Sequence, residues 1–135
     1  MTLKESQDNF IELMNLFDSW PDKFGLLIEK SELQPAELQE ELQPYRILNC
    51  QSRTYFKAEN VDDIIHITGW SNSSIMAGII QCLMEIFNYY SIEDIESTVV
   101  DFHIKSGLID NVTPLRRAAI LEMIGRVLVL FKKEK

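Results

Sequence analysis

The first third of the chain has apolar side chains at helical spacing. Between residues 10 and 17 they recur at intervals of three and four, which is the pattern of an amphipathic helix. Ser19 and Pro21 suit the cap and first turn of a second helix. The stretch 35–42 predicts one more short helical turn, which we expect Pro44 to end.

Beyond this proline the pattern changes from helical spacing to alternation. The segments 45–48, 52–57 and 64–70 are rich in aromatic and β-branched residues. They predict a small antiparallel sheet of about three strands. The last two segments, joined by the polar connection 59–63, form a predicted hairpin.

The segment 75–90 is apolar on nearly every side, as expected of a buried helix. Capping residues precede it, and we expect it to cover one face of the sheet. The pattern predicts a short helix over 91–95 and another that ends at Gly107.

A final helix is predicted from Thr113 and Pro114 to about Lys133, with an apolar stripe that includes Leu115 and Phe131. Helices before and after a small sheet indicate an α+β fold. At 135 residues the chain is long enough to bury one core, so a single domain over residues 1–135 is expected.

The charge distribution argues against one class of partner. The net charge is −8, and residues 1–45 contain ten acidic residues but only three lysines. Nucleic-acid binding takes most of its affinity from basic residues that neutralise phosphates, so no nucleic-acid partner is expected. The acidic front half is either a solvated helix surface or a docking face for a basic protein patch.

Neither a membrane span nor a metal site is predicted. The most apolar run, 75–87, is shorter than the roughly 20 residues that cross a bilayer. The two cysteines, Cys50 and Cys82, have neither a CxxC spacing nor a Cys/His spacing that would indicate zinc. With no secretion signal at the start, a reducing cytoplasm is the expected compartment.

Of the two cysteines, Cys50 is the candidate for a reactive thiol. Its neighbours are polar, it lies at a boundary between loop and strand, and Arg46 and Arg53 are close enough in sequence to favour a thiolate. A packed core thiol is the alternative interpretation of any lone cysteine. That interpretation is preferred for Cys82, which lies in the apolar helix.

Two reaction types remain open for this thiol. A cysteine-nucleophile hydrolase would need a base, and His66 or His103 would have to supply it, although neither stands in an obvious triad. Sulfur transfer asks for less, because one accessible thiolate can attack the outer sulfur of a persulfide. The carrier chemistry is therefore favoured over hydrolysis.

The chain resembles the SufE family, the sulfur acceptors that serve cysteine desulfurases in iron–sulfur cluster assembly. The resemblance covers most of the length. It rests on segments that occur in the family's order: Trp20-Pro21-Asp22-Lys23-Phe24, Asn49-Cys50-Gln51-Ser52, Gly69-Trp70-Ser71-Asn72, and Gly107-Leu108 with Thr113-Pro114-Leu115-Arg116.

The resemblance implies a function and a site. Cys50 would accept sulfane sulfur as a persulfide, with Gln51 and Arg116 beside it, and the chain would be a carrier and activator rather than an enzyme. The implied partners are a SufS-like cysteine desulfurase, which holds the pyridoxal phosphate, and a SufBCD-like scaffold. No cofactor or metal is expected here, and the sequence leaves homodimer formation open.

The resemblance also implies an α+β fold similar to that of IscU scaffolds. IscU-type cluster assembly uses several cysteines that this chain lacks, so no cluster is expected to form on it. Asn49 stands where the family has glycine, and Trp70 stands where it has an acid, which would add bulk near the acceptor loop. These departures keep a second hypothesis open, a module that binds a desulfurase without transferring sulfur.

Overall fold

Two antiparallel strands lie at the centre of the computed structural model, which describes residues 1–48 and 50–130. Strand β1 (Thr54–Val61) pairs with β2 (Ile64–Ser71) along its whole length, from Thr54 opposite Ser71 to Val61 opposite Ile64. Asp62 and Asp63 form the turn, with φ angles of 53° and 66°. A two-residue hairpin loop of this kind matches the right-handed twist of the strands.

Helices surround this hairpin, as the hydrophobic pattern predicts. The described helices are α1 (Leu3–Asn15), α2 (Trp20–Lys30), α3 (Ser74–Phe87), α4 (Ile92–Ser97), α5 (Phe102–Lys105) and α6 (Pro114–Leu128). Short 3₁₀ helices span Ser31–Leu33, Glu40–Tyr45 and Leu108–Asp110. The α+β prediction is therefore confirmed.

Helix α3 is the central packing element, because most of its residues are buried. It packs against α1, α2 and β2. Gly78 allows the approach of α2, since a Cβ atom at this position would lie 1.8 Å from the carbonyl oxygen of Leu27. A glycine at this point lets two helix backbones come closer than any side chain would permit.

Among the described residues the sheet has two strands, so the prediction of about three was wrong. Arg46 makes only an isolated bridge with Tyr55, and the Ile47 amide donates to the Thr54 carbonyl over 2.8 Å. Leu48 is already 83% exposed. The segment 45–48 does not continue as a strand, because Ile47 is its one buried side chain and Leu48 already points into solvent.

The helical turn predicted over 35–42 forms only in part: residues 35–39 are not helical, and Glu40–Tyr45 is a 3₁₀ helix that contains Pro44 instead of ending before it. Tertiary hydrogen bonds explain the difference. The indole N–H of Trp70 donates to the Pro35 carbonyl over 3.1 Å, and the Gln34 amide exchanges two hydrogen bonds with the Ser71 backbone. These contacts hold Gln34 and Pro35 in a non-helical conformation, an effect that local propensity does not predict.

Two predicted helices end differently from expectation or extend beyond the residues that the structure describes. Helix α3 stops at Phe87 because Asn88 leaves the helix and pairs through its side chain with the Ile67 backbone. The final helix is described to Leu128, and the predicted positions Phe131 and Lys133 lie outside the described residues. Within the described part of the chain, no helix has the length and apolarity that a membrane crossing requires.

Candidate functional site

The loop that carries Cys50 is fixed at both of its ends. Ile47 bonds to Thr54 where the loop begins, and Arg53 exchanges hydrogen bonds of 2.9 and 3.0 Å with Asn72 where it ends. The residue before the cysteine, Asn49, lies outside the described residues, so its departure from the family pattern stays an expectation. The anchors hold the loop against the open ends of the two strands.

The Cys50 thiol is half-buried and packs against the main hydrophobic core. Its Sγ atom lies 3.0 Å from Ser52 Oγ and 3.4 Å from Thr54 Oγ1. Sulfur is a weak hydrogen-bond partner as a thiol and a stronger acceptor as a thiolate. Two hydroxyl groups are therefore within reach of the sulfur.

The thiol opens onto a cleft of about 290 Å³. Its lining comes from the loop and from the starts of two helices: Cys50, Gln51, Ser52, Ser73, Thr113, Leu115 and Arg116. The three predicted site residues, Cys50, Gln51 and Arg116, thus border the same cleft. The fold achieves this because Thr113 caps α6 beside the loop.

The cleft combines features that favour a negative charge. Ser73 caps α3 and Thr113 caps α6, so the first residues of both helices border it. The N-terminus of a helix carries a partial positive charge. Among the described lining residues, Arg116 supplies the full positive charge.

The expectation that Arg46 and Arg53 support the thiol is not met by the structure. The Arg46 guanidinium lies over the Tyr55 ring at 5.9 Å, and that of Arg53 lies over the Trp70 ring at 5.5 Å. Neither arginine lines the cleft. Arg116, distant in sequence, is the arginine among the described residues that lines the cleft.

Trp70 does not add bulk at the acceptor loop, contrary to expectation. It is only 7% exposed and forms a second apolar cluster with Leu42 and Tyr55. Neighbouring residues of a strand point to opposite faces, so Trp70 faces away from Ser71 and the thiol side. The substitution therefore changes the far face of the hairpin.

Cys82 is a core thiol, as predicted. It is 3% exposed, and burial raises its pKa to about 12. At neutral pH it is therefore a protonated thiol and a poor nucleophile. The described residues also contain no group of three or more His, Cys, Asp or Glu side chains that would hold a metal ion.

Neither histidine is placed to act as a base for Cys50. His66 packs edge-on against Tyr89, with ring centroids 5.5 Å apart. His103 is 7% exposed, and burial lowers its pKa. Because neither residue is among those that line the described cleft, the hydrolase alternative lacks its base.

Sequence reasoning missed the hydroxyl groups around the sulfur. The sequence pattern marks Thr54 only as a strand residue, and Ser71 and Ser73 only as members of a capping cluster. One signal in the sequence could have found them: Thr54 and Ser71 are hydroxyl residues at strand positions where buried apolar side chains are expected. Both are fully packed, with Thr54 at 0% and Ser71 at 1% exposure.

Comparison with known families identifies the chain. The SufE family, described as an Fe-S metabolism associated domain, matches residues 8–129. This chain belongs to the SufE family. Its members are associated with iron–sulfur metabolism.

A solved structure shares the fold of this SufE chain. It is the solution structure of a hypothetical protein from Thermus thermophilus, with a TM-score of 0.68 and 19% sequence identity. The match covers 98% of this chain and 97% of the other. At this identity the likeness concerns the fold alone.

Proposed function

We propose that this SufE chain is a persulfide carrier that accepts sulfane sulfur from a cysteine desulfurase on Cys50. The observation that carries the proposal is the half-buried thiol in a cleft that it shares with Arg116. Gln51, exposed at the rim of the same cleft, is the third proposed site residue. The chain would activate its partner rather than act as an enzyme.

The transfer step is balanced without an external oxidant or reductant. The Cys50 thiolate attacks the outer sulfur of the donor persulfide, and a new bond forms between that sulfur and Sγ. The sulfur–sulfur bond in the donor breaks, and its electron pair leaves with the donor cysteine as a thiolate. Cys50 then carries the persulfide.

The surroundings of Cys50 suit a carrier for two reasons. Partial burial against the core limits the access of cellular reductants to the carried sulfur. Cys82 is too deeply buried to serve as a resolving thiol, which would form a disulfide with Cys50 and expel the carried sulfur as sulfide. Arg116 and the two helix starts favour the anion that forms after transfer.

Exposed apolar side chains near the thiol support docking to a protein partner. Leu48, two positions before Cys50, is 83% exposed, and Leu115 at the cleft is 43% exposed. A desulfurase that delivers its sulfur must cover this region. The second partner would be a SufBCD-like scaffold, which takes the sulfur from Cys50.

Mass spectrometry tests the proposal directly. The protein is incubated with a SufS-like desulfurase, cysteine and pyridoxal phosphate, and the Cys50 peptide is expected to gain about 32 Da, the mass of one sulfur. Cys82→Ser should gain the same mass, whereas Cys50→Ser should gain none. An equal adduct in Cys50→Ser would exclude Cys50 as the acceptor.

A binding experiment separates the carrier from a non-transferring module. Desulfurase binding without a sulfur adduct on Cys50, and without increased alanine production, would assign the chain to docking alone. The carrier function predicts all three: binding, adduct and faster alanine production.

A further inference from the structure

Two hydroxyl groups are buried at the open end of the hairpin. Thr54 and Ser71 face each other in the strand register, and their oxygen atoms are 2.9 Å apart. A buried hydroxyl costs free energy unless it forms hydrogen bonds, and a valine would suit a buried strand position better. The pair therefore calls for an explanation beyond packing.

The hydroxyl pair continues outward to the reactive sulfur. Thr54 Oγ1 is 2.9 Å from Ser52 Oγ and 3.4 Å from Cys50 Sγ. Ser52 Oγ is itself 3.0 Å from Sγ. Three hydroxyls thus form a continuous chain of hydrogen bonds, called here the hydroxyl chain (Ser52, Thr54 and Ser71), which ends at Cys50.

A backbone amide favours one direction of this chain. The N–H of Ser73 donates to Ser71 Oγ over 3.1 Å, so this oxygen acts as an acceptor and its own proton is available for Thr54. When Ser71 donates to Thr54, the Thr54 proton turns toward Ser52 and the sulfur. The donors then all point outward, to a site where a thiolate acts as acceptor only.

We propose that Thr54 and Ser71 are positioning residues for sulfur transfer, which hold the hydroxyl chain in the direction that donates to Cys50 Sγ. The inference rests on the proposed carrier function. Hydrogen bonds from hydroxyls to an ionised acceptor are about twice as strong as those between neutral groups. The hydroxyl chain therefore stabilises Cys50 as a thiolate more than as a thiol.

This stabilisation serves both halves of the carrier cycle. Before transfer it raises the fraction of Cys50 that is ionised and ready to attack. When a thiolate of the acceptor attacks the outer sulfur and forms a new bond to it, the bond between Sγ and the outer sulfur breaks, and Sγ leaves with the electron pair as a thiolate. A better stabilised thiolate is a better leaving group.

Other side chains line the same cleft but are not members of the hydroxyl chain. Arg116 of α6 contributes the charge, and Gln51 of the loop and Ser73 at the start of α3 contribute polar groups. Substitution of Thr54 leaves all three side chains in place. Its effect on the pH dependence of Cys50 therefore reports on the hydroxyl chain.

The test measures the reaction of Cys50 with a dithiodipyridine reagent as a function of pH. Thr54→Val keeps the shape and removes the hydroxyl, whereas Thr54→Ser keeps the hydroxyl and should restore the wild-type profile. Thr68→Val makes the same chemical change at an exposed position of β2 and is the matched control.

We expect the midpoint of the Thr54→Val profile to lie about one pH unit above that of the wild type. Because a more basic thiolate is intrinsically more nucleophilic, the two profiles should cross. The variant should react about threefold more slowly at pH values below both midpoints and about threefold faster at pH values above both. A general loosening of the loop would instead raise the rate at every pH.

Coincident profiles of folded Thr54→Val and wild type would overturn the proposal, as would a Thr54→Ser profile that matches Thr54→Val. Should Thr54→Val fail to fold, Ser71→Ala carries the same test with the same expected crossing. The sulfur adduct assay is separate. If the Thr54→Val pH profile is shifted but the wild-type protein takes up no sulfur, the effect of the hydroxyl chain on Cys50 would stand and the carrier function would be overturned.

Discussion

The guanidinium of Arg53 lies 5.5 Å from the centre of the Trp70 ring, on the face of the hairpin opposite the thiol. The indole N–H of Trp70 donates to the Pro35 carbonyl. The residue thus acts as a structural anchor for the 34–45 segment.

Replacement of this anchor should affect stability more than thiol chemistry. We expect Trp70→Ala to lower the free energy of unfolding by about 3 to 5 kcal/mol, as for other buried tryptophans. Arg53→Ala should cost at most about 1 kcal/mol, because its side chain is exposed. Urea unfolding measures both values, and a Trp70→Ala cost as small as that of Arg53→Ala would contradict the anchoring role.

The contact between α2 and α3 predicts a strong effect of one methyl group. A Cβ atom at Gly78 would meet the Leu27 backbone, which cannot move without separating the helices, so Gly78→Ala should destabilise the protein by about 3 kcal/mol. Gly25 lies in α2, where a Cβ atom would have no neighbour within 4 Å, and Gly25→Ala should stabilise the protein by about 0.5 to 1 kcal/mol. Thermal unfolding that shifts both variants in the same direction would refute the close approach.

Arg116 and Arg117 form a matched pair for testing the charge at the cleft. Arg116 lines the cleft, whereas the adjacent Arg117 is exposed and does not. Arg116→Ala should slow sulfur uptake by Cys50 about three- to tenfold, because it removes the cation that favours the anionic sulfur. Arg117→Ala should retain the wild-type rate. Equal rates for all three proteins in a timed mass-spectrometry assay would exclude this electrostatic role.

The buried His103 predicts a component of acid sensitivity. Its pKa is lowered from 6.5 by burial, so the folded state keeps the imidazole neutral while the unfolded chain takes up a proton. This contribution to stability is complete above 6.5 and is lost as the pH falls from there toward the lowered pKa of the folded state. The slope for one proton is at most about 1.4 kcal/mol per pH unit.

Urea unfolding between about pH 7.5 and 5.5 measures this slope. His103→Gln, which cannot titrate, should lose stability less steeply than the wild type as the pH falls. His66→Gln is the control at a half-buried histidine. Parallel curves for His103→Gln and the wild type would show that His103 does not contribute to the pH dependence.

The sequence by itself determined the elements whose signals are local. The caps at Ser19, Ser73 and Thr113 begin helices where the pattern predicts them, and the all-apolar segment is the buried helix α3. Cys82 is a core thiol for the same reason, since burial follows from helical periodicity. The resemblance to SufE also pointed to Cys50 and to the residues beside it.

Tertiary structure decided what depends on residues far apart in the chain. Residues 35–39 are not helical, because the Pro35 carbonyl accepts from Trp70 and the Gln34 side chain pairs with Ser71. In the described part of 45–48, Arg46 and Ile47 make only one bridge and one hydrogen bond to β1, too few for a third strand. Arg116, rather than the neighbouring Arg53, borders the cleft of Cys50. Side-chain direction on a strand and the packing of α6 against the loop fix these contacts, and neither is encoded in local spacing.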